Sequence, residues 1–234
     1  MTHAIFIKSF PGDAEWLSYA LRSIRKYAKG FTEVVIAVPE GMAVATQGIE
    51  RVVHVGDHAK PYLYQQLVKL NADLYTACDW IRFCDSDTIF NREYVAGEDI
   101  HDGKARWMIT PIEKAGSDAA AAWVPVMSRF YGFTPRYEFM RRMGQTVPRW
   151  ALGCFRDYCQ RWHGKSMQEY ILEQDAMSFS EFNVLGMYLH GNHPHSFNWW
   201  NTEELGVPND PMSQFWSHGG ITNEIRETLE KAVA

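Results

Sequence analysis

The sequence predicts an α/β protein with a mainly parallel sheet covered by helices. Three observations carry this. The first 90 residues alternate short apolar or β-branched runs with segments of helical period, the pattern of strand–helix–strand units. A short run, Trp80-Ile81-Arg82-Phe83-Cys84, ends abruptly in the carboxylates Asp85 and Asp87, as a buried strand does where it meets a ligand-binding edge. At 234 residues and 46% hydrophobic, the chain can bury an ample core.

The first strand is Ala4-Ile5-Phe6-Ile7, closed by the Gly/Pro-marked loop Lys8-Ser9-Phe10-Pro11-Gly12-Asp13. Asp13 is a candidate N-cap for a helix running to about Lys29. Its core face is Trp16, Leu17, Ala20, Leu21, Ile24 and Tyr27, and Gly30 is its stop. Residues 34–38 form a β-branched strand ended by Pro39, and residues 51–55 another, ended by Gly56-Asp57. Residues 62–75 read as a helix with Leu63, Leu67, Leu70 and Leu74 inward, and Gln65, Gln66 and Lys69 on other faces. The strand at 80–84 follows, then one at 106–110 stopped by Pro111.

Beyond this the pattern changes. Residues 115–127 are Ala-rich and broken by Gly116, and 137–143 and 150–162 look helical. Residues 178–189 form a helix in which Ser178-Phe179-Ser180-Glu181 fits a capping box. Residues 190–200 are short, aromatic and partly strand-like, and a charged surface helix spans 222–233. The sequence contains no internal repeat and no long linker.

A net charge of −5 argues against a nonspecific nucleic-acid binder. The distribution is uneven. Residues 136–165 carry seven basic residues against Glu138 and Asp157, interleaved with aromatics. The four cysteines include no pair with the two-residue gap of a zinc knuckle or redox motif, which predicts reduced thiols and a cytoplasmic protein. No signal peptide or membrane span is visible. His190, His193 and His195 lie on a Gly/Pro-interrupted stretch without a nearby cysteine, which speaks against structural zinc.

In extended chain, residues two apart point to the same side. Asp85 and Asp87 would then project together outside a strand end, where oxygen ligands suit Mg or Mn. An Asp-x-Asp on its own is also a common turn sequence, so its weight comes from its neighbours.

Those neighbours are Ile5 to Asp13, the Gln65-Gln66-x-x-Lys69 helix before the acidic strand, Asp85-Ser86-Asp87, Ser180-Glu181-Phe182-Asn183, and Phe215-Trp216-Ser217-His218-Gly219-Gly220. In this order they resemble the A-type fold of nucleotide-sugar glycosyltransferases. The resemblance implies a nucleotide- and metal-binding half over 1–112 and an acceptor half over 113–234. It implies transfer of a sugar from a nucleotide-sugar donor, a UDP-sugar by preference, to a hydroxyl. Asp87 and His218 would hold the Mn or Mg, with Asp85 on the ribose side or reaching the ion through water. Lys8, Ser9, Phe10, Gln66, Lys69 and Ser86 would line the donor pocket, with Lys69 and then Lys8 nearest the phosphates. Glu181 would serve as general base, with Asp175 as its alternative, although a capping box alone would also account for Glu181.

Residues 137–143 and 162–166 resemble small glycosyltransferases of bacteria and phages, some of which decorate hydroxymethylated pyrimidines in phage DNA. This implies a DNA acceptor in a host cytoplasm, met by Arg141, Arg142, Arg149, His193, Trp199 and Trp200. The alternatives are a saccharide or cell-envelope acceptor, a nucleotidyltransferase, or a non-catalytic sugar- or DNA-binding protein. A nucleotidyltransferase would carry a Gly-rich loop after the first strand, and Lys8-Ser9-Phe10-Pro11-Gly12 lacks its glycines.

Overall fold

A computed structural model describes residues 1–115, 117–140, 145–175 and 178–234, with backbone alone at 117–122. The first half runs β1 (His3–Lys8), α1 (Ala14–Tyr27), β2 (Glu33–Pro39), β3 (Glu50–Val55), α2 (Pro61–Leu70) and β4 (Trp80–Asp85). The four strands lie in the order β4-β1-β2-β3, all parallel. Residues 4–7 of β1 and 34–38 of β2 are apolar at every position because both faces are covered. Ile5, Ile7, Val34 and Ile36 pack with Leu17, Leu21 and Ile24 of α1. The alternate residues Phe6, Val35 and Ala37 pack with Leu63, Leu67 and Leu70 of α2, as the period of two requires.

The second half runs β5 (Thr88–Phe90), β6 (Lys104–Pro111), α3 (Ser117–Tyr131), β7 (Tyr137–Glu138), β8 (Thr146–Pro148), α4 (Arg149–His163), α5 (Met167–Glu173), α6 (Glu181–Asn192), β9 (Phe197–Asn201), β10 (Met212–Gln214) and α7 (Asn223–Val233). β8 joins the large sheet antiparallel, outside β4. β9 lies parallel to β6 and β7 antiparallel on its other side, while β10 pairs with β5. The halves share one apolar cluster, in which Phe83 of β4 meets Phe182 of α6 edge-on at 5.1 Å. Among the described residues no helix is long and apolar enough to cross a membrane.

Several expected elements take another form. Tyr137 and Glu138 form strand β7, paired with Pro111 and Thr110, and are not helical; residues 141–144, which include Arg141 and Arg142, lie outside the described residues. α2 stops at Leu70, and Leu74 is 65% exposed. Gln66 and Lys69 are buried rather than solvated. α6 starts at Glu181, so the expected box at Ser178 does not form. A capping box forms instead at Ser166 and Glu169, which opens α5. The last helix is docked as well as charged, because Leu229 is buried against Trp16 and Tyr19.

The glycines give a direct test of packing. A Cβ at Gly186 of α6 would sit 2.5 Å from Phe139 Cβ and 2.6 Å from its Cγ. Gly186→Ala should therefore destabilise the fold by roughly 1–3 kcal/mol despite its better helix propensity. Gly153→Ala in α4, whose Cβ meets only Arg156 Nη2 at 3.8 Å, should stabilise it by about 0.5–1 kcal/mol. Urea midpoints of the two variants check both signs.

Candidate functional site

The parallel register brings Lys8, the last residue of β1, beside Asp85, the last residue of β4. This is the carboxyl edge of the sheet, where open α/β sheets receive ligands. The chain leaves it at once through the buried residues Ser9, Ser86 and Asp87. Asp13 does not cap α1 with its side chain; its Oδ2 accepts the Ser86 hydroxyl at 2.7 Å. Asp13 thus joins Asp85 and Asp87 as a third acid at this edge.

Lys69 rises from α2 into the same place. Its ammonium lies 2.7 Å from Asp85 Oδ1 and 2.9 Å from Glu181 Oε1, and all three groups are largely shielded from water. Burial alone would lower the Lys69 ammonium, but the charges of Asp85 and Glu181 outweigh it and raise it well above the ordinary lysine range. Gln66, one turn earlier on α2, accepts the Glu181 backbone N–H at 2.7 Å. That bond satisfies one of the open donors at the start of α6. Lys69 is therefore an internal bridge between two carboxylates, not a free phosphate partner. Glu181 is held by the bridge, and Asp85 points to Lys69.

Asp87 sits differently. Its Oδ2 accepts the Ser217 backbone N–H at 2.9 Å, and its carbonyl accepts the Phe215 N–H at 2.8 Å. Its Oδ1 is buried with no hydrogen-bond partner. Burial, then the charges of Asp85 and Asp13, push its carboxyl up to about 6, against the opposing Ser217 bond. A buried carboxylate oxygen without a donor, in a field of other acids, is chemically suited to a cation. Lys8 is the remaining base at the edge. It donates to the Ser9 carbonyl at 2.5 Å, and burial pulls its ammonium down to about 8, with Asp57 opposing and Lys69 assisting.

The expected ligand trio does not converge. Among the described residues no three His, Cys, Asp or Glu side chains form a metal-holding group. The segment carrying His218 does reach Asp87, but through the Ser217 backbone; the His218 ring is exposed and lies 6.1 Å from Trp216. The oxygen donors suit a hard ion of the Mg or Mn type, which binds through one or two carboxylates and completes its shell with substrate phosphates and water. Asp87 Oδ1 is the residue atom open to it.

Of the other expected contacts, Ser9 Oγ is buried without a partner and Phe10 is 45% exposed, both on the loop after β1. Asp175 is exposed in the turn before α6, where its carbonyl accepts Ser178 N–H and Oγ–H. His193 lies past the far end of α6, about 18 Å from Glu181 by helix rise, and Tyr188 Oη meets its Nε2 at 3.1 Å. Trp199 and Trp200 donate to the Pro194 and Gly206 carbonyls at 2.8 and 2.7 Å, structural uses of both indoles. Arg149 donates through Nε to the Thr76 and Asp73 carbonyls, clamping α4 to the loop before β4. Sequence reasoning missed Asp13 and Asp57 as members of the edge; their position just after strands was the available signal.

No protein-family model matches the chain, and comparison with curated proteins gave no match.

Three outcomes test this site. Asp87 has a folded pKa above its unfolded value, so the ionised form is the one that the fold disfavours. Between about pH 4 and 6 the native state binds the extra proton, and stability falls as pH rises; above about 6 the penalty is complete. In the absence of divalent cation, Asp87→Asn should be more stable than wild type at pH 7.5 by on the order of 2 kcal/mol, with the gap closing toward about pH 4. Manganese should raise the melting temperature of wild type and leave the variant unmoved. Lys69→Met strands two buried carboxylates and should cost on the order of 3–5 kcal/mol in urea unfolding.

Proposed function

We propose that this protein transfers a sugar from a nucleotide-sugar, of the uridine diphosphate class, to a hydroxyl acceptor, on a glycosyltransferase A-type fold. The observation that carries the proposal is the buried, unpartnered Asp87 Oδ1 at the carboxyl edge of the sheet, beside Asp85 and Asp13. The strand order, with an antiparallel strand outside β4, supports the fold reading.

Glycosyl transfer breaks a bond at the anomeric carbon and leaves negative charge on the departing diphosphate. A bound divalent cation supplies Lewis-acid stabilisation of that charge. Asp87 would hold the ion through Oδ1, while the Ser217 N–H fixes the rotamer through Oδ2. Lys8 would add a positive charge on the donor side, and its lowered pKa reflects how little water it retains there. Asp85, Lys69 and Glu181 position the edge by locking α2, β4 and α6 together. With its carboxylate on Lys69, Glu181 belongs to this lock, and we do not give it the role of base.

The basic stretch lends a DNA acceptor little support. Arg156 is paired with Asp73 at 2.6 Å, Lys165 with Glu173 at 2.5 Å, and the Arg149 Nε is held by backbone carbonyls. We therefore propose the hydroxyl acceptor without restricting it to nucleic acid.

Incubation with manganese and a panel of UDP-sugars, with detection of released UDP, tests the proposal. Slow hydrolysis of one donor is expected, reduced by about a hundredfold or more in Asp87→Ala. UDP with manganese should stabilise wild type by about 2.7 kcal/mol at a hundred times its Kd. No release from any donor together with no thermal shift would refute it.

A further inference from the structure

A cavity opens at the end of the sheet opposite the acidic edge. It has a volume of about 520 Å³ and is lined by Asp73, Asp79, Trp80, Arg149, Trp150 and Gly153, among others. That size is within the range of small-molecule sites. It lies at the start of β4, and Asp85 at the end of that strand is about 16 Å away. None of its residues takes part in the carboxyl-edge site.

Its construction suits one ligand class. Trp150 is 44% exposed although it stands beside a helix start. The indole is held: it meets the His193 ring edge-on at 5.0 Å, and His193 is tied in turn to Tyr188. A fixed, open indole is an aromatic platform whose ordering cost is already met by the fold. The charged groups around it balance. Among the lining groups, Arg149 and the Met1 amino group oppose Asp73 and Asp79, and the side chains are already oriented by the protein: Arg149 by two carbonyls, Asp73 by Arg156, and Asp79 by Thr2 N–H at 2.8 Å. A balanced rim gives a phosphate no net attraction. It offers fixed donors and carboxylate lone pairs together, which groups that both donate and accept can use at once. Hydroxyls on a ring with an apolar C–H face meet both requirements.

We infer that this cavity is a non-catalytic binding site for a neutral saccharide, which stacks on Trp150 and hydrogen-bonds to the Arg149, Asp73 and Asp79 rim. The inference does not depend on the reaction proposed for the carboxyl edge.

The test is saturation-transfer NMR on the full chain with maltotriose, cellotriose and triacetylchitotriose as neutral probes and UMP as the charged control. At least one trisaccharide should bind saturably, with a Kd on the order of 1 mM. Trp150→Ala removes the platform. Gly153→Leu fills the cavity from a helix position where a Cβ meets nothing closer than 3.8 Å, so the fold is kept. Each variant should lose at least about tenfold in affinity, with the UDP–manganese thermal shift unchanged from wild type. No transfer to any trisaccharide at on the order of 10 mM overturns the inference. So does wild-type binding in either variant, or UMP binding that both variants abolish.

Discussion

The Lys69 ammonium, enclosed between Asp85 and Glu181, is the interaction on which the site depends. Three elements far apart in sequence meet there: α2, the end of β4 and the start of α6. A lone charge of this kind would be expelled from the interior or neutralised. With two carboxylates at hydrogen-bond distance, its burial is tolerated and its charge is secured. The bond from the Glu181 N–H to Gln66 adds a neutral contact across the same seam. The second half of the chain is thereby tied to the first at the edge where chemistry is proposed.

That lock decides what the neighbouring acids can do. Asp85 is directed to Lys69, so the two acids of Asp85-Ser86-Asp87 are unequal. Asp87 keeps one oxygen for the Ser217 backbone and one without a donor. The strain in this arrangement is electrostatic, and its cause is the desolvation of Asp87 next to Asp85 and Asp13. The C-terminal segment reaches the site because β10 pairs with β5 and α7 packs on α1 through Leu229. A distant piece of chain therefore completes the edge with a backbone N–H, where a histidine ring was expected.

The cavity at the far end of the sheet and the basic stretch follow one logic. α4 opens with Arg149 and Trp150 at the far end of the sheet, and its Arg149 and Arg156 are turned to the loop before β4. Part of the charge that looked available in sequence holds that helix in place. Trp150 is different, because it stays 44% exposed while its ring meets His193.

The sequence by itself determined the four parallel strands of the large sheet, though not the antiparallel β8 at its edge. Runs such as Val34 to Val38 have no polar face, so they must be covered on both sides, and the helix-period segments between them supply the cover. It also located the acidic edge, because the apolar run of β4 ends where Asp85 begins. The starts and stops of α2 and α6 were not legible, since Gln66 caps α6 from 115 residues away and no local pattern encodes that. The fates of Lys69, Glu181 and Asp13 were decided only by tertiary structure. Each is a polar residue whose local reading, as solvated face or cap, is sound. Each is overruled because a long-range partner in the interior offers more than water does.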